Sequence, residues 1–169
     1  MQDEGSAGRF EQAVLPHLDA AYNLARWLLR SPHDAEDLVQ EALLRAFQAV
    51  GGFRGEDGRA WLLATVRNAC YTWLRRNRSQ EEITAFDEAI HTPDGQALNP
   101  ERMALREADG VRVRQALEKL PAEFREVLVL REIEGLSYKE IGAVSDIPVG
   151  TVMSRLARAR GRLLRELSG

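Results

Sequence analysis

The sequence predicts an all-α protein. It consists of two small helical domains joined by a flexible acidic linker, and the C-terminal domain contains a helix-turn-helix. Three observations carry this. Apolar residues recur at three- and four-residue spacing through most of the chain, and no segment sustains period-two alternation. The periodicity fades between Ser79 and Asn99, where Thr92-Pro93-Asp94-Gly95 is turn chemistry. Charge divides at the same place: residues 1–79 are neutral, 80–109 carry a net −6 and 110–169 a net +3. The expected boundaries are a first domain over 1–79, a linker over 80–98 and a second domain over 99–169.

Each element has a local reason. Phe10, Val14, Leu18 and Tyr22 fall at four-residue spacing on one helix face, and Pro16 is placed to kink or break that helix. Ser31-Pro32 restarts the chain. Pro32 suits a first helical position, and Asp34 suits a cap or a first-turn acid. Ala35, Leu38, Val39, Ala42, Leu43 and Ala46 form the next stripe, which Gly51-Gly52 ends. A glycine-rich loop, Phe53 to Gly58, leads into a helix from about Arg59 to Arg76. Leu62, Val66, Ala69 and Trp73 are its expected buried face.

Asn99-Pro100-Glu101 reads as an N-cap followed by a first-turn proline, opening a helix to about Leu120 that Gly110 weakens. Pro121 opens another, expected to bury Phe124, Val127, Leu128 and Ile133 before Gly135 stops it. Ser137 caps a short helix from Tyr138 to about Val144. Asp146-Ile147-Pro148 makes a turn, and the last helix runs from Val149/Gly150 to about Leu167.

Composition excludes several classes. No apolar run approaches the ~18 residues of a membrane span, and the acidic start lacks the basic and apolar parts of a secretory signal. Cys70 alone makes neither an internal disulfide nor a cysteine-rich zinc site. His17, His33 and His91 are scattered, so neither metal nor cofactor is expected. A reduced, cytoplasmic location follows. The total of −3 over 169 residues argues on its own against a polyanion partner, but its distribution does not.

Three constellations carry chemistry. Leu136 to Leu156 has the anatomy of a helix-turn-helix, with Ile141, Val144, Ile147, Val152 and Leu156 packing its two helices together. Thr151, Ser154, Arg155 and Arg158 would then face outward. Residues 151–165 hold Arg155, Arg158, Arg160, Arg162 and Arg165 and no acid, which suits a major groove and its phosphates. The spacing also fits an ordinary helical hairpin with a solvated basic face. Second, Arg67, Arg75, Arg76 and Arg78 interleave with Trp61, Tyr71 and Trp73, as an unpaired strand requires. Trp73 lies on the expected buried face, whereas Trp61 and Tyr71 are the better candidates for exposure. Third, Asp34, Glu36, Asp37, Gln40 and Glu41 line the side of a helix opposite its apolar stripe. The helix dipole alone accounts for first-turn acids, and a docking face for a basic partner is the functional alternative. Cys70 is expected in the core.

Taken in this order, the three pieces resemble the extracytoplasmic-function group of the bacterial sigma-70 family. Asp34 to Phe47 is similar to the family's core-polymerase-binding helix. Phe53-Arg54-Gly55, Trp61-Leu62, Arg67-Asn68 and Leu74-Arg75-Arg76 resemble its promoter-melting, −10-reading segment. Leu120-Pro121, Gly135 to Gly142 and Pro148 to Leu156 resemble its −35-reading domain.

The resemblance implies a transcription initiation factor with no enzymatic activity. Its implied partners are core RNA polymerase (the beta' clamp and beta flap), promoter DNA and an anti-sigma factor, with no membrane contact of its own. It assigns Asp34, Glu36, Asp37, Gln40 and Glu41 to polymerase. Phe53, Arg54, Trp61, Arg67, Asn68, Tyr71, Arg75 and Arg76 go to single-stranded −10 DNA. Ser137, Tyr138, Thr151, Ser154, Arg155, Arg158 and Arg162 go to the −35 duplex. The acidic linker would thread a basic polymerase channel. A stand-alone helix-turn-helix regulator binding duplex operator, or a helical scaffold with basic faces, are the other readings of the same residues.

Overall fold

Helix boundaries fall where local chemistry places them. The structure, a computed structural model, describes residues 2–48, 57–77 and 101–168, with side chains for 8–48, 57–77 and 110–168. Helix α1 (Gln2–Val14) tightens at Pro16 into a 3-10 turn, Leu15–His17, and α2 (Leu18–Leu29) follows. Proline lacks the N–H that an α-helix interior requires, so the break at Pro16 takes the form of a narrower turn. Arg30, at φ 63°, closes α2. Helix α3 (Pro32–Gln48) begins on its proline, and the Ser31 hydroxyl accepts the Asp34 N–H at 3.2 Å. Ser31 is therefore the cap and Asp34 the first-turn acid. Helix α4 (Gly58–Arg76) is capped by the Asp57 carboxylate, which accepts the N–H groups of Arg59 and Ala60.

In the second half, α5 (Glu101–Glu118) runs unbroken through Gly110. Helix α6 (Ala122–Leu128) follows Pro121 and widens into a π turn, Val129–Ile133. Gly135, at φ 70°, reverses the chain. Helix α7 (Tyr138–Ser145) carries a capping box, and Asp146, at φ 55°, ends it before α8 (Val149–Ser168). Every described element is helical.

The first half packs α2 against α3 and α4, with α1 laid across α4. Leu24, Leu28, Leu62, Leu63 and Val66 are fully buried there, and Ala21, Ala25, Ala35, Ala42 and Ala46 let the helices approach closely. The tightest approach is at Gly58, where an added Cβ would lie 2.0 Å from the Ala13 carbonyl oxygen. Phe10 joins three helices by edge-on contacts to Phe47 and Trp61, at 6.0 and 5.5 Å between centroids. In the second half Leu120, Val127, Val129, Leu130, Leu136, Ile141, Val152 and Leu156 form the core. The halves also touch: α2 packs on α6, and α4 on α7.

Some expectations change. The buried stripe of α4 is Leu62, Leu63, Val66, Cys70 and Leu74, whereas Ala69 and Trp73 are only partly buried, because the packed face lies one residue further round the helix. Leu43 and Phe124 are likewise partly buried. Ile133, expected in the core, is 50% exposed. The extra residue in the π turn shifts the register, so Val129 and Leu130 take the core positions and Ile133 rotates outward. Gly51-Gly52, the loop bearing Phe53 and Arg54, the linker 80–98 and the Asn99-Pro100 cap lie outside the described residues.

Candidate nucleic-acid interface

The helix-turn-helix is built from short-range hydrogen bonds around a small apolar centre. The Ser137 hydroxyl accepts the Glu140 N–H at 3.1 Å, and the Glu140 carboxylate accepts the Ser137 N–H at 2.9 Å. Together they satisfy two orphan donors of α7. That backbone bond, helped by the Arg59 guanidinium, holds the Glu140 carboxyl below its ordinary pKa. In the turn, the Ile147 N–H donates to the Gly142 carbonyl at 3.0 Å. Ile141, Val144, Val152 and Leu156 are buried between the helices and Ile147 partly so, matching the expected packing set.

This packing fixes which residues of α8 face outward. Met153, Ser154, Ala157, Arg158 and Arg162 are exposed, while Thr151 and Arg155 are half-buried. The Ser154 hydroxyl donates to the Thr151 carbonyl at 3.1 Å. Arg160 points elsewhere: its guanidinium gives two bonds to Glu132, at 2.7 and 3.1 Å, and is held above its ordinary pKa by them. The cationic face therefore consists of Arg155, Arg158, Arg162 and Arg165. At the far end, Arg112 donates to the Leu167 carbonyl at 3.0 Å, a favourable charge for a helix C-terminus. Tyr138 lies half-buried beneath the Arg131 guanidinium, 4.7 Å from its ring centre. Ser137 is exposed, with its hydroxyl occupied as the cap.

The second constellation divides. Asn68, Arg75 and Arg76 are exposed on α4. Trp61 and Tyr71, expected outward, are both partly buried: Trp61 packs edge-on to Phe10, and the Tyr71 hydroxyl donates to Glu126 at 2.6 Å. Arg67 stacks on the Tyr71 ring at 4.4 Å and donates to Glu126 at 2.5 Å. Partial burial opposes the Arg67 charge, but the Glu126 bond and charge outweigh it and raise the guanidinium pKa. Burial, reinforced by the Glu126 charge, pushes the Tyr71 phenol well up. Cys70 is fully buried as expected, and burial pushes its thiol up to about 12.

On α3, Glu36, Asp37, Gln40 and Glu41 are exposed and Asp34 is half-buried, so the acidic face lies opposite the apolar stripe. Two of its acids have partners on their own helix, His33 with Asp37 at 3.4 Å and Arg45 with Glu41 at 2.6 Å.

Sequence reasoning missed the polar cluster where the two halves meet. Glu126 is fully buried and accepts bonds from Arg67, Tyr71 and Ser145, the last at 2.6 Å. Its neighbour Arg125 is also buried, donating to the carbonyls of Trp27 at 2.9 Å, Leu28 at 3.0 Å and Leu120. The signal was present: two adjacent charges begin the apolar run Val127-Leu128-Val129-Leu130, and charges at such positions are buried only with partners.

A helix-turn-helix whose second helix carries no acid over residues 151–165, packed against a helical module that presents an acidic helix, defines the class. Comparisons with known proteins narrow it. Sigma-70 region 2 matches residues 13–80 and Sigma-70, region 4 matches residues 110–163. The RNA polymerase sigma-H factor of Pseudomonas aeruginosa is 35% identical over 92% of this chain and 84% of its own length. The ECF RNA polymerase sigma-E factor of Escherichia coli is 39% identical over 75% of this chain and 70% of its own. The ECF RNA polymerase sigma factor SigE of Mycolicibacterium smegmatis is 36% identical over 95% of this chain, which spans 62% of that relative's length. The sigma factor RpoE of Bartonella quintana, solved with the anti-sigma factor NepR, superposes with a TM-score of 0.68 at 29% identity, over 94% of this chain and 96% of that one. The chain belongs to the extracytoplasmic-function group of the sigma-70 family of sigma factors.

Proposed function

We propose that this chain directs core RNA polymerase to specific promoters and opens them, without catalytic activity, cofactor or metal of its own. The observation that carries the reading is the arginine face of α8, held by an intact helix-turn-helix on a chain that matches both sigma regions. Thr151, Ser154, Arg155, Arg158 and Arg162, with Ser137 and Tyr138 at the α7 end, meet the −35 duplex through backbone and base contacts.

Asn68, Arg75 and Arg76, with Arg67, Tyr71, Trp61 and the loop residues Phe53 and Arg54, take single-stranded −10 bases. There stacking and pocket contacts offset an unstacking cost of a few kcal/mol. The acidic face from Asp34 to Glu41 docks on the basic clamp of polymerase, and the linker 80–98 spans the two elements. The domain limits 1–79, 80–98 and 99–169 belong to the same reading. No helix among the described residues is long and apolar enough to cross a membrane. That fits work in the cytoplasm, where polymerase is. The Bartonella neighbour's anti-sigma complex supports control of this chain by an anti-sigma factor.

Mapping transcript starts after overexpression tests the reading. New starts should share a −10 and −35 pair at fixed spacing. Binding to duplex operator alone, with no new polymerase starts, would instead favour a stand-alone regulator.

A further inference from the structure

The outward surface of α8 has two edges of different chemistry. A helix turns about 100° per residue. Arg155, Arg158, Arg162 and Arg165 therefore share one edge, while Val149, Met153 and Ala157 share the other at four-residue spacing. Val149 is 43% exposed, Met153 53%, and Ala157 is exposed as well. Between the edges lie Gly150 and Ser154, small residues that let the helix backbone come close to whatever α8 meets; the Ser154 hydroxyl is turned back on the Thr151 carbonyl. The one arginine on the apolar edge, Arg160, is held on Glu132 by two bonds at 2.7 and 3.1 Å. No free cation of α8 is left on that edge.

We propose that Met153 is a specificity-determining residue of the −35 contact. It reads the 5-methyl group of a thymine in the major groove, and Val149 and Ala157 complete an apolar edge along the same side of the groove. The proposal rests on the assignment of α8 to duplex DNA given under Proposed function. It adds a base preference that the arginines alone do not impose.

Three arguments carry it. Thymine bears the only methyl group that the four bases present in the major groove; the other edges are donors and acceptors. A thioether has no donor and is a weak acceptor, so against a polar base edge it strips water without replacing the bond. The apolar edge thus discriminates by exclusion as well as by contact. Position agrees: base edges are met by the N-terminal part of a recognition helix, and Met153 opens the second turn of α8. Its unbranched side chain also adapts to the surface it covers. Finally, Met153 offers a phosphate nothing to bond, and Arg160, the cation placed to do so from this edge, is engaged by Glu132. Phosphates and guanine are left to the arginine edge, and thymine to the other.

The test uses the full chain with core polymerase and a fluorescein-labelled promoter duplex taken from the mapped transcript starts. Each thymine of the −35 element is replaced in turn by deoxyuridine, which keeps the base pair and removes only the 5-methyl group. At one position or more, wild-type binding should weaken about fourfold, the worth of one buried methyl group. Met153→Ala should bind the thymine and deoxyuridine duplexes alike at that position. Arg158→Ala, though weaker overall, should keep the difference. Selection from a library randomised over the −35 element should recover thymine there with the wild type and lose it with Met153→Lys, which places a cation on the apolar edge.

A −35 element with no thymine on either strand overturns the proposal, as does a wild type indifferent to every deoxyuridine. A methyl effect that survives in Met153→Ala belongs to another residue and overturns it too. Equal loss by Met153→Ala on every duplex, with the methyl effect intact, places Met153 against polymerase instead of a base. In each of these cases promoter-specific binding remains and the proposed function stands. Absence of any promoter-specific binding defeats both.

Discussion

Replacing Gly142 by alanine isolates the geometry on which duplex recognition depends. An ideal Cβ at Gly142 lies 2.8 Å from the Ile147 carbonyl oxygen, about 0.6 Å short of ordinary contact. That oxygen belongs to the turn between α7 and α8, which is fixed on both sides. Asp146 holds φ 55°, and the Ile147 N–H is bonded to the Gly142 carbonyl itself. The shift therefore passes into the start of α8. Overpacking of this kind costs about 1–3 kcal/mol, and alanine returns about 1 kcal/mol of helix propensity. The net expectation is a loss of about 1 kcal/mol, or about 4–8 °C in Tm for a domain of this size.

Gly161→Ala, on α8, supplies the opposite sign. Nothing lies within 4 Å of its Cβ, so only the propensity term acts and the chain should gain about 1 kcal/mol. Urea unfolding followed by circular dichroism reads both, and promoter-duplex binding should weaken for Gly142→Ala alone. A Gly142→Ala chain as stable as the wild type, or a destabilised Gly161→Ala chain, would refute the packing argument.

Four further outcomes follow from the same contacts. Arg158→Ala should cost about 1–3 kcal/mol on the preferred promoter and less on other sequences if this arginine reads a base; an equal loss on every duplex marks a phosphate contact. Charge reversal at Asp37 and Glu41 should slow association with core polymerase while leaving duplex binding intact, and unchanged association in a surface-binding assay would remove the acidic face from the docking site. The Glu140 carboxyl is held low, first by the Ser137 N–H and then by Arg59. Its contribution is thus fully present above the ordinary value of 4.5 and lost as pH falls through the lower folded value, and Glu140→Gln should flatten the acid limb of a stability-versus-pH curve. The raised Tyr71 pKa runs the other way: its contribution is present below the ordinary 10.0 and lost as pH rises through the folded value. Ultraviolet titration should therefore show one late phenol that Glu126→Gln brings down. A titration unmoved by that variant would separate Tyr71 from Glu126.

Local chemistry was the legible part of this sequence. Pro16, Pro32, Gly135 and the Ser137 cap set boundaries through forces that act within one turn, and the structure follows them closely; the Asp57 cap of α4 and the Glu140 half of the Ser137 box act over the same range but were not read. Longer-range consequences were not readable. Ile133 fits the period of α6, but the π turn at Val129–Ile133 adds a residue that only the surrounding packing explains. Tyr71 and Trp61 fall outside the single apolar stripe that one amphipathic helix shows in its sequence, but α4 meets α1 on one side and α7 on another and so buries more than that stripe. The outward face of α8 was legible in part, since the two helices of a helix-turn-helix leave little choice of register: Ser154 and Arg158 are exposed as expected, whereas Thr151 and Arg155 are half-buried. That Arg160 is turned toward Glu132 was not legible, because the partner lies 28 residues away.

The most direct measurement is promoter-specific run-off transcription with purified chain and core polymerase on templates from a cognate genome. The account predicts discrete transcripts that depend on the chain, weaken strongly when Arg155 or Arg158 is replaced by alanine, and disappear when the acidic face of α3 is reversed. Core polymerase that binds the chain or not, but yields no promoter-specific transcript from any template, would contradict it.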